Sequence, residues 1–169
     1  MPAADQNIKL FRYQIIPRVL VFALRSDAVL LIKLLPRNGV ATGWTGCYNG
    51  PGGHIERGED VFSAARRELW EETGLKAEPA LCGTVIVDTG PSVGIGLFIF
   101  RADNLSGDLL ASAEGIPEWI PFHALTDALL VEDVSIFLER IRNMKPGDPP
   151  FSARSFYDAD DRLTVVFGS

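Results

Sequence analysis

Two apolar runs stand near the start of the chain. Residues 15–24 and 28–33 are rich in β-forming side chains and are separated only by Arg25, Ser26 and Asp27, which predicts two strands joined by a tight turn. Residues 36–46 carry Pro, Asn and Gly and read as a loop, and Gly50-Pro51-Gly52-Gly53 is a second break. The clearest helix is 60–73: Asp60 can cap it, Gly74 can end it, and neither Pro nor Gly interrupts it. Residues 80–89 and 94–101 are strand-like runs, linked by a hairpin at Gly90-Pro91-Ser92-Val93. A short strand is expected at 118–121, a helix at 127–142 closed off by Pro146-Gly147, and an edge strand at 162–167. Residues 1–11 read as a loose arm, and no internal repeat is present. Strands before and after a helix within one compact length predict a mixed sheet with helices packed on it.

A length of 169 residues favours one domain and suffices for a core without staples. Cys47 and Cys82 fit neither a disulfide framework nor zinc-ligand spacing, so reduced thiols and a cytoplasmic setting are expected. Residues 1–6 show no basic segment followed by an apolar one, and no signal peptide is expected. The apolar runs are too short to span a bilayer. A net charge of −6 argues against binding to a nucleic-acid backbone. An acidic protein can still hold a phosphorylated small molecule if metal ions bridge the two anions.

The chemistry is concentrated in residues 53–75, GHIERGEDVFSAARRELWEETGL. With Val61 at zero and about 100° per residue, Ala64, Ala65 and Leu69 define an apolar stripe. Glu68 and Glu72 fall near 340° and 20°, within that stripe, and Glu71 near 280°. Like charges at this spacing disfavour a helix by roughly 0.2–0.5 kcal/mol, and burying them costs more unless a cation compensates. Clustered carboxylate oxygens suit Mg²⁺ or Mn²⁺. Gly52 and Gly53 just upstream let backbone approach a ligand closely, and a backbone carbonyl there can add an oxygen ligand.

This segment resembles the signature of the Nudix hydrolases, GX5EX7REUXEEXGU, at every fixed position: Gly53, Glu59, Arg67, Glu68, Leu69, Glu71, Glu72, Gly74 and Leu75. The resemblance implies an α/β fold, an α/β/α sandwich around a mixed β-sheet, with the signature forming a loop–helix–loop. It implies a Nudix domain over residues 12–144, with 145–169 as a C-terminal extension. It also implies hydrolysis of a phosphoanhydride bond in a nucleoside diphosphate derivative, with Mg²⁺ as cofactor and Mn²⁺ as a substitute. By resemblance Glu68, Glu71 and Glu72 bind metal, joined by the Gly52 carbonyl. Glu59 and Arg67 orient the helix, and Glu68 is taken as the general base.

Outside the signature, the stretch around Glu114 is similar to one that supplies a further acidic metal ligand in MutT-like members, although a solvated loop glutamate reads equally well. The entry Tyr48-Asn49-Gly50-Pro51-Gly52-Gly53 resembles that of oxidised-purine nucleoside triphosphatases, in which the asparagine pairs with the base. Asn49-Gly50 is otherwise a turn. Glu132 and Asp133 stand where that subgroup reads the base, or are acids at a helix N-terminus. Lys33 and Arg37 flank the pocket entrance by the same likeness, or are ordinary surface cations. His54 and His123 have no partners that suggest a triad and read as structural.

The leading expectation is therefore a purine nucleoside triphosphate such as 8-oxo-dGTP, cleaved to monophosphate and pyrophosphate. The alternative is a nucleoside diphosphate sugar, since Pro91 lies close to where ADP-ribose-cleaving members carry a proline. A non-catalytic nucleotide-binding domain is disfavoured because no signature glutamate is missing. A small-molecule nucleotide is the expected partner, with no nucleic acid and no membrane, and a homodimer is compatible with the sequence.

Overall fold

Strand β1 (Gln14–Leu24) is buried on both faces from Val19 onward, which is what a strand between two helical layers requires. Val19, Val21 and Ala23 pack with Ala64, Ala65 and Leu69 of helix α1 (Val61–Thr73). The alternate residues Leu20, Phe22 and Leu24 pack with Phe137, Leu138 and Ile141 of helix α2 (Val134–Asn143). The molecule, seen in a computed structural model that describes residues 11–36 and 38–168, thus has two apolar cores separated by one sheet.

The remaining strands are β2 (Ala28–Leu34), β3 (Tyr48–Asn49), β4 (Gly52–His54), β5 (Ala80–Asp88), β6 (Val93–Ala102), β7 (Gly115–Pro121), β8 (Phe151–Tyr157) and β9 (Leu163–Phe167). Their order is β3-β2-β1-β6-β5-β8-β9, with β4 also pairing β1 and β7 pairing β2. The sheet is mixed: β1–β6 and β5–β8 are parallel, and the other pairs are antiparallel. A mixed sheet with one helix on each face is the expected α/β/α arrangement. Both thiols are free and buried, and burial pushes the Cys82 thiol up. No helix among the described residues is long and apolar enough to cross a membrane.

Three elements depart from the sequence-based expectation. The late helix starts at Val134 and not at Asp127. Leu129 and Val131 instead exchange backbone hydrogen bonds with Tyr48, at 2.7 and 2.9 Å, so this stretch runs extended beside β3. A tertiary pairing overrides local helical preference there. Strand β8 lies in a tail that carried no clear signal, and β7 begins at Gly115, ahead of the expected 118. Beyond residue 144, β8 pairs with β5 and β9 closes the edge, so the C-terminal segment completes the same sheet.

Candidate active site

Helix α1 is framed by its own sequence. The Asp60 carboxylate accepts from the Phe62 and Ser63 amides at 2.8 and 3.0 Å, satisfying two of the free N–H groups of the first turn. Gly74 ends the helix at φ 75°, where a side chain would be strained. The helix presents Glu68 and Glu72 on its buried stripe, 9% and 7% exposed, while the Glu71 carboxylate stays half exposed.

Close approach by glycine makes room for these carboxylates. The Gly52 amide donates to Glu72 Oε2 at 3.0 Å. A Cβ at Gly52 would meet the Leu20 Cα at 3.0 Å, and one at Gly53 would stand 2.7 Å from the Glu68 carboxyl carbon. Gly52 thus lets β4 lie against the backbone of β1, and any side chain at Gly53 would have to displace the Glu68 carboxylate.

Arg67 ties the site together. Its Nε and Nη2 donate to the two oxygens of Glu59 at 2.7 and 3.0 Å, a bidentate clamp. Its Nη1 donates to Glu68 Oε1 at 2.9 Å and Glu71 Oε2 at 3.0 Å, and its Nη2 also donates to the His54 carbonyl at 2.9 Å. The guanidinium holds the Glu59 carboxyl below the usual carboxylate range. Glu68 moves the other way. Burial raises its pKa, the adjacent guanidinium partly offsets this, and the charges of Glu71 and Glu114 add to the rise. Glu114, on an exposed loop, is thus near enough for its field to reach Glu68.

The donor set fits a hard divalent cation. Carboxylate oxygens are its preferred ligands, and a dication beside the buried Glu68 would favour the ionised form that burial disfavours. Among the described residues no three acidic side chains already converge on one point; Arg67 Nη1 bridges Glu68 and Glu71, and the Gly52 amide holds Glu72.

Beside this cluster opens a cavity of about 760 Å³, a size suited to a nucleotide. Gly52 and Gly53 belong to its wall, so cavity and carboxylates share one strip of backbone. Asn49, Glu132 and Asp133 line it as well. The Asn49 side-chain oxygen accepts from the Gly50 amide at 2.8 Å. Asp133 occupies the cap position of α2 without capping it by its side chain; burial pushes its carboxyl up, and the charge of Glu132 adds to this.

The other candidates fall elsewhere. Lys33 is absent from the cavity wall; its Nζ lies 5.8 Å from the centre of the Tyr48 ring, whose hydroxyl donates to Glu118 at 2.8 Å. Lys33 sits on β2, where it pairs with Tyr48 of β3 and Ile116 of β7. Arg37 lies outside the described residues. His54 accepts from Arg18 Nε at 3.2 Å on the surface. Sequence reasoning missed Trp44, Ser155 and Tyr157 on the cavity wall. Only the alternation of Phe151, Ala153 and Ser155 could have marked β8 as a strand with one inward face.

The chain is 39% identical over 84 residues to an oxidized purine nucleoside triphosphate hydrolase of Danio rerio, covering 46% of this chain and 54% of that protein. It is 56% identical over 32 residues to the phosphatase NudJ of Escherichia coli K12, covering 19% of this chain and 21% of the relative. The chain thus spans about half the length of the first relative and about a fifth of the second. A MutT protein from Bacillus halodurans superposes with a TM-score of 0.73 at 26% identity, over 90% of this chain and 97% of that one. The NUDIX domain of Shewanella oneidensis NrtR, solved with ADP ribose, superposes at 0.65 and 18% identity over 84% and 97% of the two chains, a likeness of fold. The NUDIX domain family matches residues 15–141, which take in both the carboxylate helix and the Asn49 wall of the cavity, and this chain belongs to that family, with MutT-like Nudix hydrolases among its structural neighbours.

Proposed function

We propose that the protein hydrolyses a purine nucleoside triphosphate, with 8-oxo-dGTP the leading candidate, to a monophosphate and pyrophosphate. The observation that carries this reading is the shared wall: Gly52 and Gly53, which touch the glutamates of α1, also line the cavity that holds Asn49, Glu132 and Asp133. A nucleotide whose base lies against Asn49 and Asp133 would bring its phosphates toward Glu68 and Glu72. The named activity of the Danio rerio relative supports the same substrate class.

Glu68, Glu71 and Glu72, with the Gly52 carbonyl and Glu114, would hold Mg²⁺ or Mn²⁺, which when bound supplies neutralisation of the diphosphate charge and makes water easier to deprotonate. The residues do the rest. Glu68, buried on the stripe of α1 that faces Gly53, takes a proton from the attacking water. The water oxygen bonds to phosphorus, the anhydride P–O bond breaks, and pyrophosphate departs with the bonding electron pair. Arg67, fixed by Glu59, keeps Glu68 and Glu71 oriented through its Nη1. Asn49 offers an amide donor to the purine edge while its oxygen is engaged by Gly50.

The test is a turnover panel with Mg²⁺ containing 8-oxo-dGTP, the ordinary nucleoside triphosphates, ADP-ribose and NADH, run on the native protein and on Asn49→Ala. The native protein should prefer a purine triphosphate. Asn49→Ala should lower kcat/KM for it by about 5- to 150-fold, and for a pyrimidine triphosphate much less. A uniform loss across bases would make Asn49 a turn residue only. ADP-ribose outrunning every triphosphate would overturn the substrate assignment.

A further inference from the structure

Strand β8 turns a single face toward α2. Its buried positions are Phe151, Ala153 and Ser155, alternating with exposed Ser152 and Arg154. Phe151 and Ala153 join the apolar core under α2. Ser155 follows in the same row, and here the row becomes polar. Its side chain is fully buried, and its hydroxyl has no hydrogen-bond partner among the described residues. A buried hydroxyl without a partner is unfavourable where alanine would pack equally well, so this one needs an explanation outside the fold itself.

The cavity supplies one. Ser155 is part of its wall, together with Asp133 and with Val87, the parallel neighbour of Ser155 on β5. Two residues further along β8, Tyr157 donates its hydroxyl to Glu132 Oε2, fastening the strand to the segment that carries Asp133. The register is held from the far side as well, where Ser155 pairs with Val165 and Tyr157 with Leu163 of β9. All of these β8 and β9 residues lie beyond residues 15–141, the span matched to the family.

We propose that the C-terminal hairpin β8–β9 is a specificity element of the site, in which the Ser155 hydroxyl hydrogen-bonds the polar edge of the substrate's base and Tyr157 positions Glu132 beside it. The inference rests on the reading of the cavity as a nucleotide-base pocket. A hydroxyl both donates and accepts, and it can choose among staggered positions about χ1, so it suits the mixed donor and acceptor edge of a heteroaromatic ring. The ligand then completes the hydrogen bond that the fold leaves open.

The experiment compares the native protein with Ser155→Ala. Three quantities are measured: KM and kcat for the best nucleotide substrate, affinity for the corresponding nucleoside monophosphate by calorimetry in EDTA, and melting temperature. Loss of one hydrogen bond to the base should raise KM about tenfold with kcat little changed. Monophosphate affinity should weaken by a similar factor, because that contact needs neither metal nor chemistry. The melting temperature should hold or rise, since an unsatisfied hydroxyl has been removed. Unchanged KM and monophosphate affinity would overturn the proposal. So would a marked fall in melting temperature, which would assign the hydroxyl to the fold. The substrate reading fails separately: if native turnover favours ADP-ribose, purine specificity is lost, and the same Ser155→Ala comparison on ADP-ribose and AMP still decides the role of Ser155. Tyr157→Phe adds a second reading of the hairpin. Freeing Glu132 should change the ratio of kcat/KM between purine substrates while Tm stays put, and an unchanged ratio would remove Tyr157 from the proposal.

Discussion

Gly53 leaves room for the Glu68 carboxylate that a side chain there would fill. The carboxyl carbon of Glu68 lies 2.7 Å from the point a Cβ on Gly53 would occupy, so the carboxylate rests directly against the backbone of β4. The contact joins the strand that lines the cavity to the helix that carries the glutamates.

Gly53→Ala should therefore disable the enzyme without unfolding it. The added methyl must push the Glu68 carboxylate aside, and a displacement of about 1 Å at a reacting group costs on the order of 100-fold in rate. Circular dichroism should stay native while turnover falls by that amount. Turnover within about twofold of the native protein would mean that the Glu68 position is not critical.

The glutamates should separate activity from stability. Glu68→Gln and Glu72→Gln should each cut turnover by orders of magnitude, and EDTA should abolish native turnover until Mg²⁺ or Mn²⁺ is restored. Glu68 and Glu72 are like charges one helical turn apart and both buried, so each amide should leave the melting temperature of the metal-free protein unchanged or higher. Near-native turnover in both variants, or full activity in chelator, would locate the chemistry elsewhere.

Asp133 gives a pH signature. Burial raises its pKa, with the Glu132 charge adding to the rise. A carboxyl that holds its proton more tightly in the folded state stabilises the fold fully below its unfolded value, about 3.9, and that contribution is lost as pH rises through the folded value. Asp133→Asn removes the charge that must otherwise be buried. It should melt above the native protein at neutral pH. The difference should close toward pH 3, and melting curves of both proteins across that range check it. Parallel curves at every pH would mean that Asp133 is ionised at no cost.

The candidate site was legible in the sequence because it is local. One helix with a fixed period carries Arg67, Glu68, Glu71 and Glu72, so spacing alone showed that Glu68 and Glu72 share the apolar stripe, and the structure buries both. Asp60 and Gly74 bound that helix through interactions only a few residues long. The strands 15–24, 28–33, 80–89 and 94–101 were legible for a similar reason. Their apolar runs lie near the centre of the sheet, and burial there demands continuous β-forming residues.

Tertiary structure decided the rest, because long-range pairing outweighs local preference. Leu129 to Val131 had a helical pattern but pair with Tyr48, which delays α2 and leaves Asp133 on the cavity wall. Lys33 had the right charge, but its place on β2 leaves it off the cavity wall, with its Nζ 5.8 Å from the centre of the Tyr48 ring. Strand β8 has only a short alternation of Phe151, Ala153 and Ser155 as its local signal; it becomes a strand because β5 offers an edge with a matching register. Only once that edge is filled does Ser155, an ordinary polar residue in the sequence, become a buried hydroxyl on the cavity wall without a partner among the described residues.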